Sequence, residues 1–307
     1  MLTRSFCRRV VFQPRLLALY ISPSTTQHYH TSSYRHYTTT TSSPSTSQNI
    51  HNPQSAMSEE AKYELLYWPG LPGRGEFVRL ALEASKTPYK DTTNSDRSKV
   101  PTLVSLIRPS ADSKDPPNLC PPILRTPSGL LISQTPNILL YLGDHLSIAP
   151  KNDDKYLVHQ YALTALDLTN EAHNVHHPVA HMSYYADQKS EAFTASREFR
   201  RDRIPKFFGH FDKIVKYNAG KHAGTKYLVG ENITYADTTV WQAVDGVTYA
   251  FPKRVKELKE SGEYDALFKW WEGVKGEEWM VGYVESGRRL KYGDGIFRYY
   301  EELDVDE

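Results

Sequence analysis

Apolar positions alternate with a period of two in only a few short places, and all of them lie between residues 60 and 135. Tyr63–Tyr67 (YELLY) reads as a strand rich in apolar and aromatic residues. The breaker-dense turn Pro69-Gly70-Leu71-Pro72-Gly73 follows it. From Arg74 to Ser85 the period changes. Phe77, Leu80, Ala81 and Ala84 recur at helical spacing, so one face of a helix is buried. Pro101–Ile107 predicts a further helix, and Ser110–Asn118 a polar, Pro-containing loop. Ile123–Arg125 and Leu130–Ile132 flank Thr126-Pro127-Ser128-Gly129, which predicts a hairpin. Gln134 to His145 then reads as a helix with Ile138, Leu139 and Leu142 inward.

Beyond Asn152 the pattern is helical almost throughout. Leu157–Ala180 and Lys189–Lys216 are long helical stretches, and another helix begins at Ile233-Thr234-Tyr235-Ala236-Asp237. There the Thr234 hydroxyl and the Asp237 carboxylate, three residues apart, can form an Asp version of a capping box. The tail Tyr283–Glu307 has no legible period. The expected architecture is an α/β domain over 61–150 followed by an all-α domain over 151–307, preceded by a disordered extension over 1–57.

Charge changes the picture only at the N-terminus. The chain of 307 residues has 37 Lys+Arg against 36 Asp+Glu, a formal net charge of +1. A broad basic surface for nucleic acid is therefore not expected. No apolar run approaches the length of a membrane span. The first acid is Glu59, and the residues before it hold Arg4, Arg8, Arg9, Arg15 and Arg35 and no Lys. An N-terminal segment rich in Arg, Ser and Thr and free of acids predicts a mitochondrial transit peptide. Met57 would start a cytosolic form. Of the two cysteines, Cys7 lies in this segment, and Cys120 is expected to be a small packed residue. No disulfide framework or cysteine-cluster metal site follows from them.

Three motifs in this order resemble a glutathione transferase of the tyrosine type, similar to the sigma and pi classes, over about residues 61–280. They are Tyr67-Trp68-Pro69-Gly70-Leu71-Pro72-Gly73-Arg74, Pro122-Ile123-Leu124 through Gly129 to Gln134-Thr135, and Leu228-Val229-Gly230 followed by Ile233–Asp237. The resemblance implies a thioredoxin-like N-terminal domain that binds glutathione, an all-helical C-terminal domain, and a homodimer. Glutathione would be a co-substrate, with no cofactor and no metal. The reaction implied is attack of its thiolate on a hydrophobic electrophile, a detoxification chemistry. A free thiol is mostly protonated at neutral pH. A phenolic O–H aimed at the sulfur lowers its pKa by bonding to the anion.

The resemblance places Tyr67 in that catalytic role, one of 21 tyrosines in the chain. Tyr63 is the competing strand tyrosine. Neither Cys nor Ser stands in the Trp68–Arg74 loop, which argues against a glutaredoxin-like thiol mechanism. Arg74 would contact a glutathione carboxylate or support the electrostatics near the sulfur. Gln134 and Thr135 would hold the γ-glutamyl group at a helix N-terminus. Pro122 is the expected cis-proline, and Pro121 before it would face the cysteinyl backbone. Pro121 lacks an N–H, so one hydrogen bond of the family pattern is missing. Asp167 would reach the glutathione of the partner subunit. His173, His176, His177 and His181 share one helical face and are expected at the core or domain interface, with some lining the electrophile pocket near Tyr184 and Tyr185. A non-catalytic binding or scaffold protein, and a glutathione-dependent peroxidase or isomerase, remain alternatives.

Overall fold

The structure is a computed structural model and describes residues 62–305. The expectations for 1–57, including the transit peptide, Cys7 and Met57, lie outside the described residues.

A four-stranded sheet opens the described chain, with strand order β2-β1-β3-β4. Its strands are β1 (Tyr63–Leu66), β2 (Tyr89–Asp91), β3 (Ile123–Arg125) and β4 (Leu131–Ser133). β1 runs parallel to β2 and antiparallel to β3, and β3 and β4 form the expected hairpin. Side chains alternate across the sheet, as the strand period requires. Leu65, Leu124 and Ile132 face the main core, which also contains α1 (Gly75–Ala84) and α4 (Thr135–His145). Leu66, Ile123 and Leu131 face the other way and are covered by Leu103 and Leu106 of α3 (Val100–Ile107). The short helix α2 (Thr92–Ser95) continues directly from β2.

Next come α5 (Asp154–Val175), α6 (Lys189–Glu198), α7 (Ile204–Lys221), α8 (Tyr235–Ala250), α9 (Pro252–Glu260), α10 (Asp265–Lys275) and α11 (Glu278–Glu285). Two long stretches differ from what the periodicity predicts. α5 stops at Val175, not at Ala180, because the residues before Pro178 are biased away from helix. The stretch from Lys189 is broken by a π-helical turn at Phe199–Arg203 before α7 begins. The capping box at α8 forms as expected. Asp237 accepts from the Thr234 amide at 2.8 Å and the Thr234 hydroxyl at 2.7 Å, and also from the Leu228 amide at 2.8 Å.

No helix among the described residues is long and apolar enough to cross a membrane. After α11 the chain turns back along the protein without further α-helix. Ile296 and Phe297 are buried, and Phe297 lies where a Cβ on Gly246 of α8 would be. Tyr300 stacks on Tyr185 at 3.9 Å between ring centroids. Asp304 accepts from the Lys253 amide at 2.7 Å and the Arg254 amide at 3.2 Å, so it caps α9.

Candidate active site

The strand register collects the predicted site residues. Leu66 pairs with Ile123 and Ile123 pairs with Ser133. One step further along the same end of the sheet stand Tyr67, Pro122 and Gln134. The loops leaving β1 and leading into β3, and the turn after β4, therefore meet at one edge. The single cis bond among the described residues is Pro121–Pro122. Pro121 and Pro122 are both buried. Thr135 starts α4 beside Gln134, whose φ of 71° bends the chain sharply into that helix.

Tyr67 is 7% exposed, and its ring lies against the start of α1. Two glycines make that possible. A Cβ on Gly75 would stand 2.7 Å from Cγ of Tyr67, and one on Gly73 would collide with the hydroxyl. Gly73 also has a φ of 43°, which favours glycine. The hydroxyl accepts the Arg74 N–H at 2.9 Å. The Tyr67 carbonyl accepts from the buried Thr93 hydroxyl of α2. Burial pushes the Tyr67 pKa up, against the opposing pull of the Arg74 amide and of Arg79 and Arg74. The phenol therefore keeps its proton at neutral pH. It can donate that proton to an anion while it accepts from Arg74.

Tyr63 is a core residue at the other end of β1 and interacts with Tyr141. The half-buried Arg74 donates to Oδ1 of Asn170, on α5. Asp167 lies one turn earlier on α5 and is exposed. It is Asn170, not Asp167, that reaches the loop within this chain. The Thr135 side chain is 1% exposed, and its Oγ1 is buried with no hydrogen-bond partner. A helix N-terminus with a buried, unanswered hydroxyl suits an incoming carboxylate. Cys120 corrects an expectation: it is exposed, not packed. It lies two residues beyond the polar, Pro-containing loop and follows Leu119, which is 85% exposed, so no core reaches it.

The histidines gather, but not on one helical face: only His173 lies on α5, and His176, His177 and His181 follow its end at Val175. His173 stacks on His177 at 4.9 Å and lies 5.0 Å from His176. The backbone fixes two of the rings, with Nε2 of His176 2.9 Å from the Ile296 carbonyl and Nδ1 of His177 2.9 Å from the Ser183 carbonyl. Burial lowers the pKa of His173 to about 4 and that of His176 to about 3. Both are therefore neutral near pH 7. No group of three or more His, Cys, Asp or Glu side chains among the described residues is arranged to hold a metal ion.

Behind the Tyr67 loop lies a charge cluster that the sequence patterns do not announce. Arg79 of α1 is 1% exposed. It donates to the Pro72 carbonyl at 3.2 Å, to Glu76 at 3.1 Å and to Asp91 at 2.7 Å. Burial would pull its pKa down, but Asp91 and Glu76 outweigh this and raise it. Only the clustering of Glu76 and Arg79 on the apolar face of α1 could have hinted at this.

Residues 173–287 match the family model for the glutathione S-transferase C-terminal domain. A glutathione S-transferase of Plasmodium falciparum is 23% identical over 207 residues, spanning 65% of this chain and 89% of the relative. The solved Pi-class glutathione S-transferase of Onchocerca volvulus superposes with a TM-score of 0.55 at 16% identity, over 74% of this chain and 94% of that one. A monomeric glutathione S-transferase of the hookworm Necator americanus gives 0.54 at 18% identity, over 75% and 99%. The chain has the glutathione S-transferase fold. Within this transferase fold the sheet edge bearing Tyr67, Pro122 and Gln134 belongs to the α/β part, and Asn170 and the histidines to the helical part.

Proposed function

We propose that this protein is a glutathione S-transferase of the tyrosine type, which adds the glutathione thiolate to hydrophobic electrophiles. The observation that carries this reading is the protonated Tyr67 hydroxyl, held by the Arg74 amide at the sheet edge where Pro122 and Gln134 also stand. A glutathione sulfur placed at that hydroxyl would be stabilised as the anion. Thr135 and the N-terminus of α4 would take the γ-glutamyl carboxylate, and Arg74 a second one. Pro121 would offer its carbonyl alone. Joining the two reactants in one complex supplies much of the acceleration. The same thiolate could serve a peroxidase or isomerase.

Two further proposals accompany this reading. The protein acts as a homodimer, with Asp167 exposed on α5 and able to reach a partner's site. It is mitochondrial, because its first acid is Glu59 and five Arg precede it. Fusion of residues 1–57 to a fluorescent protein tests the latter, and a diffuse cytosolic signal counts against it.

The deciding experiment titrates bound glutathione by thiolate absorbance in the native protein and in Tyr67→Phe. A lowered thiol pKa that returns to the free value in Tyr67→Phe supports the enzyme. Glutathione bound with an unshifted thiol in both favours a binding protein, the reading that the missing N–H of Pro121 would suit.

A further inference from the structure

Glu76 is wholly buried at the first turn of α1, two residues beyond Arg74, and three donors converge on it, one from its own helix and two from distant parts of the chain. Arg79 bonds to Oε2 at 3.1 Å. The Tyr283 hydroxyl of α11 donates to Oε1 at 3.1 Å, and Arg289 of the C-terminal tail donates to the same oxygen at 3.2 Å. Arg289 also donates to Asp245 of α8 at 2.9 Å and lies 4.9 Å over the Trp241 ring. On the other side, Arg79 holds the Pro72 and Leu71 carbonyls at 3.2 and 3.5 Å. Its guanidinium carbon stands 5.9 Å from the Tyr67 ring centroid. The chain of contacts therefore runs without a gap from the tail to the Tyr67 loop.

We propose that Arg289 is a positioning residue for Tyr67, acting through Glu76 and Arg79 to hold the 68–75 loop; this rests on the reading of Tyr67 given above. Glu76, Asp91 and Asp245 share two guanidiniums, Arg79 and Arg289. Without Arg289, Arg79 is the one guanidinium left for both Glu76 and Asp91, and Oε1 of Glu76 keeps only the neutral Tyr283 hydroxyl. An uncompensated buried carboxylate is costly. Arg79 is then drawn toward Glu76 and away from the Leu71 and Pro72 carbonyls. The loop loosens, and the Arg74 N–H no longer fixes the Tyr67 hydroxyl. The tail approaches the loop a second time, since a Cβ on Gly295 would lie 4.0 Å from the Gly73 Cα. A loosened tail thus removes a neighbour of the loop as well as a charge.

The test uses the full chain and two readouts. The first is deuterium uptake of segment 68–75, compared with that of α7. The second is the pKa of the bound glutathione thiol. In Arg289→Met, uptake in 68–75 should rise about tenfold while α7 stays as in the native protein, because the opening is local. The thiol pKa should rise toward the free value. Glu76→Gln combined with Arg289→Met removes the charge that competes for Arg79, while Asp245 keeps the Tyr292 hydroxyl at 2.8 Å, and should restore both readouts. Arg289→Lys keeps the charge but not the fork that spans Glu76 and Asp245. It should therefore loosen the loop to an intermediate degree, and it serves if Arg289→Met does not fold. Native uptake in 68–75 in Arg289→Met (or in Arg289→Lys where Arg289→Met does not fold), an equal rise in α7, or a double variant as loose as Arg289→Met overturns the proposal. If the native protein itself leaves the thiol unshifted, the transferase reading fails, and loop uptake still judges the role of Arg289.

Discussion

The Tyr67 hydroxyl accepts the backbone N–H of Arg74 at 2.9 Å, so the chain folds back on itself around one phenol. The bond leaves the phenolic proton as the hydroxyl's own donor. It also polarises that donor, since chained hydrogen bonds strengthen one another. Replacing Tyr67 with Phe removes a hydrogen bond to a charged sulfur, worth about 1.5–3 kcal/mol. Turnover per bound glutathione at neutral pH should fall about ten- to a hundredfold. Glutathione affinity should change little, because the tripeptide backbone and carboxylates are held elsewhere. Steady-state kinetics beside calorimetric binding would show the split. An equal loss in both would mean that Tyr67 only binds.

Glycine at 75 is a packing requirement of the Tyr67 ring. A Cβ there would come within 2.7 Å of Cγ of Tyr67, whereas one on Gly282 in α11 meets nothing within 4 Å. Overpacking of this kind costs about 1–3 kcal/mol. Gly75→Ala should therefore lower the melting temperature and the activity together. Gly282→Ala should raise the melting temperature by removing backbone freedom from the unfolded chain. Thermal melts of the two variants check the contrast, and equal effects would sink it.

The legible parts of the fold are those with local causes. Leu65 and Leu66, Ile123 and Leu124, and Leu131 and Ile132 alternate between the sheet faces, so strand period and hairpin could be read directly. Thr234 and Asp237 announced their cap by spacing. Strand β2 was not legible, because Tyr89-Lys90-Asp91 has no apolar run, and its side chains are held by remote groups such as Arg79, which bonds Asp91. The tail was illegible for a related reason. Its anchors are scattered contacts with remote groups, such as Phe297 against Gly246, His176 with the Ile296 carbonyl and the Ser196 hydroxyl with the Leu303 carbonyl. For the candidate site, the positions of Tyr67, Gln134 and Thr135 at the ends of elements were legible, while the roles proposed for them came from the family resemblance. Asn170 and Arg289 were not, since only the folded chain brings them to Arg74 and Glu76. Cys120 was misread because a loop cysteine gives no local sign of its exposure.

The buried histidines make stability depend on pH. Burial lowers His173 to about 4 and His176 to about 3. In the unfolded chain both would protonate near pH 6.5. Below that value the unfolded state binds protons that the native state refuses, so stability falls as pH drops from about 6.5 toward 4. Asp237 opposes this. Burial raises it to about 6, so over the range from about 4 to 6 the native state binds a proton more readily and stability rises as pH falls. The variant His176→Gln isolates the histidine contribution. Its melting temperature should decline less steeply than the native protein's between pH 6.5 and 4.5. Parallel curves would mean that His176 is not the titrating group.

Thr135 offers a test in which stability and binding move in opposite directions. Its Oγ1 is buried without a partner, and leaving a hydroxyl in that state costs the protein about 1–3 kcal/mol. Valine keeps the branched shape and removes the oxygen. Thr135→Val should therefore fold with equal or greater stability, by about 1 kcal/mol. If the hydroxyl is reserved for the γ-glutamyl carboxylate, the same variant should bind glutathione about tenfold or more weakly, because a hydrogen bond to a charged group is lost. Denaturant unfolding and calorimetric titration on one preparation measure both quantities. A loss of stability with unchanged affinity would place the Thr135 hydroxyl in the fold and not in the site. Higher stability with lower affinity would show that the α4 N-terminus carries an unmet hydrogen bond that the ligand completes.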